Sequence, residues 1–161
     1  MNVFLSIGSN VDRRRNIEGG LAALRRQYGE VACSTVYRCA AVGFDGNAFY
    51  NLAAGLQTCD SPQQVVTFLK AVEDEFGRDR SAAKFSDRTL DIDLLLYGAK
   101  VIDQPGLQVP RDEIMKYPFV LMPLAEIVPD YVHPIANQTL AELWREMSAQ
   151  GHDLQPLSDW E

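Results

Sequence analysis

The chain has 161 residues, 47% of them apolar and 23% charged, and a formal net charge of −7. That length suits a single domain over residues 1–161 with a core of its own, and the acidic balance makes a nucleic acid a poor partner. Cys33, Cys39 and Cys59 lack Cys-x-x-Cys spacing, which argues against a disulfide framework or a zinc site, and no apolar run reaches membrane length; a soluble, cytoplasmic monomer without a membrane partner is the expectation.

Val3, Phe4, Leu5 and Ile7 read as a first buried strand that stops at Gly8-Ser9-Asn10. A helix follows, with Ile17, Leu21, Leu24 and Tyr28 on one stripe, five arginines mostly off it, and Gly19 and Gly20 weakening it locally. The intervening turn can hold an anion or cap the helix through a side chain. No P-loop or dinucleotide fingerprint accompanies it, and capping is the expected role.

Glu30 to Tyr37 and Ala48 to Leu56 carry strand patterns, joined by a long loop containing Gly43, Asp45 and Gly46, as in an antiparallel pair. Phe44, Phe49 and Tyr50 flank Asn51. An amide can read the edge of a heterocycle whose face stacks on an aromatic ring, although core aromatics beside a turn-capping asparagine give the same pattern.

Ser61-Pro62-Gln63-Gln64 is a helix start, with Ser61 as cap and Gln64 completing a capping box. Val65, Leu69, Val72 and Phe76 form the buried stripe, and Gly77 ends it. Glu73, Asp74 and Glu75 stand in the last turn, where the helix dipole disfavours acids; a cationic loop or a metal nearby would relieve that conflict.

Such a loop comes next, with cations at Arg78, Arg80, Lys84 and Arg88, and it runs into Leu90-Asp91-Ile92-Asp93-Leu94-Leu95-Leu96-Tyr97. Alternation puts Leu90, Ile92, Leu94 and Leu96 on one strand face and Asp91, Asp93, Leu95 and Tyr97 on the other. Paired carboxylates on a strand can seat one or two magnesium ions shared with phosphates that the neighbouring cations also hold. A solvated strand start with surface ion pairs is the competing reading.

The order strand, helix, strand, strand, helix, strand is the βαββαβ plan of a ferredoxin-like α+β sandwich with an antiparallel sheet. Helices should cover one face and leave the other for a ligand. Beyond Gly98 come a short extended segment at Lys100–Asp103, a helical turn at Arg111–Tyr117, an apolar helical segment at Phe119–Ile127 bent by Pro123, and a last helix carrying Leu140, Leu143 and Trp144. These are C-terminal helical additions, followed by a fraying polar tail. His133 and His152 have no adjacent ligand partner, so no histidine metal site is expected.

The chain resembles the 6-hydroxymethyl-7,8-dihydropterin pyrophosphokinases of folate biosynthesis. The likeness runs from Leu5-Ser6-Ile7-Gly8-Ser9-Asn10 through Val36-Tyr37-Arg38, the Asn51 strand and Gly77-Arg78-Asp79-Arg80 to Arg88-Thr89-Leu90-Asp91-Ile92-Asp93, Val109-Pro110 and Phe119–Leu124. The resemblance implies transfer of pyrophosphate from ATP to the hydroxymethyl group of a reduced pterin, with AMP released. It implies two magnesium ions on Asp91 and Asp93, with Arg78 and Arg88 in the catalytic set. Glu73, Arg80, Lys84, Leu94 and Arg111 would contact ATP, and Val42, Phe49, Asn51 and Phe119 the pterin.

The chain departs from the family pattern at several points. Phe85-Ser86-Asp87 stands where the family usually has Trp-Gly-Pro, Arg111 where a histidine follows the proline, Tyr117 where an arginine is usual, and Cys39-Ala40-Ala41 where Thr-Pro-Pro is usual. A diverged relative acting on another pterin, or a binding module without chemistry, would also be compatible with these changes.

Overall fold

The computed structural model describes residues 1–78, 81 and 87–159; Arg80 and Lys84, expected over the triphosphate, and Phe85 and Ser86 lie outside them. The sheet is built around β1 (Asn2–Ser9), which pairs antiparallel with β4 (Phe49–Gln57) on one side and with β5 (Asp91–Tyr97) on the other. Beyond β4 lie β3 (Val36–Cys39) and then β8 (Gln155–Leu157), while the two-residue β2 (Ala32–Cys33) also pairs with β4. With α1 (Arg13–Tyr28) after β1 and α2 (Pro62–Glu75) between β4 and β5, this is the expected ferredoxin-like α+β plan.

Val3, Leu5 and Ile7 are fully buried against Ile17, Leu21 and Leu24 of α1 and Val65, Leu69 and Val72 of α2. Each such aliphatic side chain contributes about 2 kcal/mol on burial. The α2 capping box is present: the Ser61 hydroxyl accepts from the Gln64 N–H at 3.2 Å, and the Gln64 side chain accepts from the Ser61 N–H at 2.8 Å. Gly19, a weak point for α1 by propensity, has the Phe76 ring where a Cβ would stand, so its cost permits close packing against the end of α2.

Four expectations need correction. The second sheet face is not free: Phe4, Ala53, Leu95 and Leu96 pack beneath α3 (Pro118–Ile127) and α4 (Leu140–Ser148). A cavity opens at the end of that face where Ser6, Gly8, Asn51, Asp91 and Asp93 replace apolar residues.

Alternation along β5 breaks, because the β1–β5 register shifts between Phe4 and Leu5, pairing Leu5 with Leu94 and Phe4 with Leu96. Leu95 is the extra residue, which sends Leu96 to the aspartate face and Tyr97 to the opposite core.

The polar tail forms β8 instead of fraying, held by Leu154 and Leu157 in the core. Finally, neither Ser9 nor Asn10 caps α1. Its cap position is Asp12, in the left-handed region at φ 43° and without a side-chain cap, while Ser9 Oγ donates to the Val11 carbonyl at 2.9 Å.

Between β5 and α3, β6 (Ile102–Gln104) and β7 (Leu107–Val109) form a hairpin that buries Leu107 and Val109 beside β5 and α2. His133 is buried as a turn acceptor, its Nδ1 receiving the backbone N–H groups of Ile135 and Ala136 at 3.2 and 3.0 Å. Among the described residues no helix is long and apolar enough to cross a membrane.

Candidate active site

The site grows from one row of the sheet. Gly8 of β1 lies opposite Asp91 of β5 on one side and Asn51 of β4 on the other, and Ser6 similarly faces Asp93. With neighbouring strands spaced about 4.8 Å, Asp91 and Asn51 stand about 10 Å apart across a glycine floor. That gap leaves the acid pair and the amide on opposite sides of one recess.

Each aspartate has an arginine on it. Arg78 Nη1 donates to Asp91 Oδ1 at 2.8 Å and to Glu73 Oε2 at 3.3 Å. Arg111 makes a fork on Glu113 Oε1, with Nε and Nη2 both at 3.0 Å, and its Nη2 lies 3.7 Å from Asp93 Oδ1. Glu73 also accepts from the Ile92 N–H at 2.8 Å, so the acid placed unfavourably at the end of α2 anchors the start of β5.

Burial, with the neighbouring Asp91 charge next, holds the Asp93 carboxyl well above its ordinary range, against the pull of Arg111. Glu73 is pushed up to about 7, again by burial first, with the Ile92 N–H and Arg78 opposing. A raised acid binds its proton more tightly folded than unfolded, so stability is lost as pH rises from the ordinary value of 4.5 through about 7. Glu73→Gln is therefore expected to remove a pH-dependent loss on the order of 3 kcal/mol across that window, read as a flatter profile of denaturant midpoint against pH.

The other wall is aromatic. Phe49 and Phe119 both line a cavity of about 250 Å³ with Asn51, Val42, Arg88 and the two aspartates. Phe119 is backed by Tyr117, their rings stacked at 5.0 Å and 18°.

A second cavity, of about 360 Å³, adjoins the first and is lined by Glu73, Leu94, Lys70, Leu107 and Gln108. Arg78, Asp91, Asp93 and Arg111 border both cavities. The expected site residues that are described thus come together around a shared acidic partition.

Asp91 and Asp93 offer the oxygen ligands magnesium takes, and the two guanidiniums seated on them mark cation positions. Among the described residues no third acid, cysteine or histidine completes a metal cluster, so an ion here would draw its remaining oxygens from water and phosphate.

Two further contributors act through contacts that local patterns do not contain. Asn10, expected as a cap, binds two loops at once: its Nδ2 donates to Asp87 Oδ1 at 2.8 Å and to the Asn47 carbonyl at 3.2 Å, and its Oδ1 accepts from the Arg88 N–H at 2.7 Å. Gly8 is required by contact, since a Cβ there would stand 2.7 Å from Asn51 Oδ1. Gly8→Ala is expected to displace that amide and weaken heterocycle binding about tenfold with smaller loss of nucleotide binding, measured by equilibrium titration of each. The strand register carries the signal for Gly8, and the meeting of two loops distant along the chain carries it for Asn10.

The family model described as 7,8-dihydro-6-hydroxymethylpterin-pyrophosphokinase matches residues 4–129. The 2-amino-4-hydroxy-6-hydroxymethyldihydropteridine pyrophosphokinase of Synechocystis sp. is 39% identical over 130 residues, 80% of this chain and 66% of that protein. The protein of that name from Aquifex aeolicus is 37% identical over 142 residues, 87% of this chain and 88% of the relative.

The solved Plasmodium falciparum HPPK-DHPS wild type superposes with a TM-score of 0.74 at 14% identity, covering 92% of this chain and 41% of that one. The chain therefore spans just under two thirds of the Synechocystis relative and less than half of the solved HPPK-DHPS chain. Matched along most of its length, and nearly end to end with the Aquifex protein, the chain belongs to the 7,8-dihydro-6-hydroxymethylpterin-pyrophosphokinase family.

Proposed function

We propose that this chain transfers pyrophosphate from ATP to the hydroxymethyl group of 6-hydroxymethyl-7,8-dihydropterin, a step of folate biosynthesis, and that the transfer depends on magnesium. The observation that carries this reading is the acidic partition: Asp91 and Asp93 border both the aromatic cavity and the cavity beside Glu73 and Leu94. An acceptor in the first and a triphosphate in the second would meet at the carboxylates.

In the reaction, the pterin hydroxyl oxygen forms a bond to the β-phosphorus, the bond from that phosphorus to the bridging oxygen of the α-phosphate breaks, AMP leaves with the electron pair, and the hydroxyl proton passes to solvent. Asn51 holds the pterin edge while Phe49 and Phe119 enclose its faces, with Val42 at the rim. Asp91 and Asp93 would hold bound magnesium, which would supply charge neutralisation at the phosphate oxygens. Arg78 and Arg111, now on carboxylates, lie where an incoming phosphate can exchange for those partners, and Arg88 presents a third cation to the cavity. Positioning and charge neutralisation account for catalysis without a covalent intermediate.

Arg80 and Lys84 would, in this reading, contribute cations that bind ATP. The chain is taken to act as a single-domain monomer in the cytoplasm, a reading supported by a net charge of −7, which favours solubility and disfavours self-association.

The test is AMP formation from ATP and magnesium with and without the pterin, following ADP in parallel and repeating with chelator. Pterin-dependent and magnesium-dependent AMP without ADP is the expected result. Absence of AMP from a folded protein would overturn the assignment.

A further inference from the structure

The wall that carries Asn51 holds a thiol that the reaction does not use. Cys39, at the end of β3, is 5% exposed, and its Sγ accepts a hydrogen bond from Asn51 Nδ2 at 2.9 Å. Tyr37 and Leu154 surround it, and Phe49 and Phe119, the two aromatic walls of the cavity, pack against the same cluster.

A carboxamide has two orientations of nearly the same shape, and only its partners decide which one it presents. Here the nitrogen is drawn to Sγ and the oxygen lies over Gly8, where the absence of a side chain leaves room for it. The second Nδ2 proton and Oδ1 then form an adjacent donor and acceptor of fixed sense.

We infer that Cys39 is a positioning residue for the acceptor site, holding the Asn51 amide in the one orientation that matches the edge of a pterin. The inference rests on the reading that Asn51 contacts the pterin. Burial, followed by the charge of Asp153, pushes the Cys39 thiol up to about 12, against the Asn51 bond, so the group stays a neutral thiol at working pH and acts by hydrogen bonding. A buried thiol of this kind is chemically quiet, which fits a geometric role.

The experiment compares Cys39→Ser, which keeps an acceptor, with Cys39→Val, which keeps volume but no acceptor, alongside Asn51→Ala. For each, 6-hydroxymethyl-7,8-dihydropterin is titrated in the presence of magnesium and α,β-methylene ATP, and the nucleotide analogue is titrated alone. Cys39→Val is expected to weaken pterin binding about tenfold and leave nucleotide binding within about twofold, with Cys39→Ser within about threefold of the wild type for both ligands.

Unchanged pterin binding in Cys39→Val, a serine variant as weak as the valine one, or equal loss of both ligands would overturn the inference. Asn51→Ala separates the two levels. If it binds pterin like the wild type, the Asn51 reading fails and this inference with it; if it binds weakly while Cys39→Val is unchanged, only the role of Cys39 fails.

Discussion

Asp93→Asn is expected to lower AMP formation by at least about a thousandfold while leaving the protein folded and as stable as the wild type, or more so, above neutral pH. The loss corresponds to about 4 kcal/mol of transition-state stabilisation, the scale of removing a preorganised charged contact from a dry site. An amide keeps the shape of the carboxylate but not the charge a divalent ion needs.

The stability half follows from the same environment. Asp93 sits among Asp91, Glu73 and Glu113, and burial with those charges raises its pKa well above the ordinary value. The folded state therefore holds the proton more tightly than the unfolded one, and stability is lost as pH rises from the ordinary aspartate range through the raised value. Replacing the group removes that loss, while Arg111 keeps its fork on Glu113. Thermal melts at pH 6 and pH 8 beside the AMP assay decide the matter. Normal turnover would remove Asp93 from the metal seat, and a collapsed melting temperature would make its role structural.

This trade of stability for function also marks where sequence reasoning stops. The βαββαβ order, the α2 capping box and the common face of Asp91 and Asp93 are local patterns, set by periodicity and turn chemistry within a few residues, and they are legible in the chain. Leu96 and Tyr97 are misassigned because a single extra residue at Leu95 reverses the alternation, and that bulge depends on pairing with β1.

Asn10 looks like a cap because its two loop partners are Asn47 and Asp87, both distant along the chain. The same holds for β8, whose Gln155-Pro156-Leu157 reads as a tail until β3 offers an unpaired edge. Cys39 reads in the sequence as a departure from a Thr-Pro-Pro pattern, and its bond to Asn51, twelve residues on, is not local.

Arg88→Ala is expected to reduce turnover about a hundredfold, with Arg88→Lys recovering only part of that loss, because an ammonium restores charge without the planar fork that suits phosphate. The size of the effect follows from how firmly the residue is placed. Its N–H donates to Asn10 Oδ1 at 2.7 Å, its carbonyl accepts from the Asn10 N–H at 3.0 Å, and its Nη1 donates to the Asp87 carbonyl at 3.2 Å. Only 8% exposed, it lines the cavity beside Asp91 as a cation whose ordering cost is met in folding, before substrate arrives.

Asn10→Ala keeps the backbone bond to the Arg88 carbonyl but removes the acceptor of the Arg88 N–H and the donor to Asp87, and is expected to cost turnover about tenfold by loosening the placement of the guanidinium. If Asn10 acts through Arg88, the double variant will be no slower than Arg88→Ala alone, the non-additivity of residues working as a unit. Fully additive losses would instead assign Asn10 to its other partner, the Asn47 loop, and separate the two sides of the site.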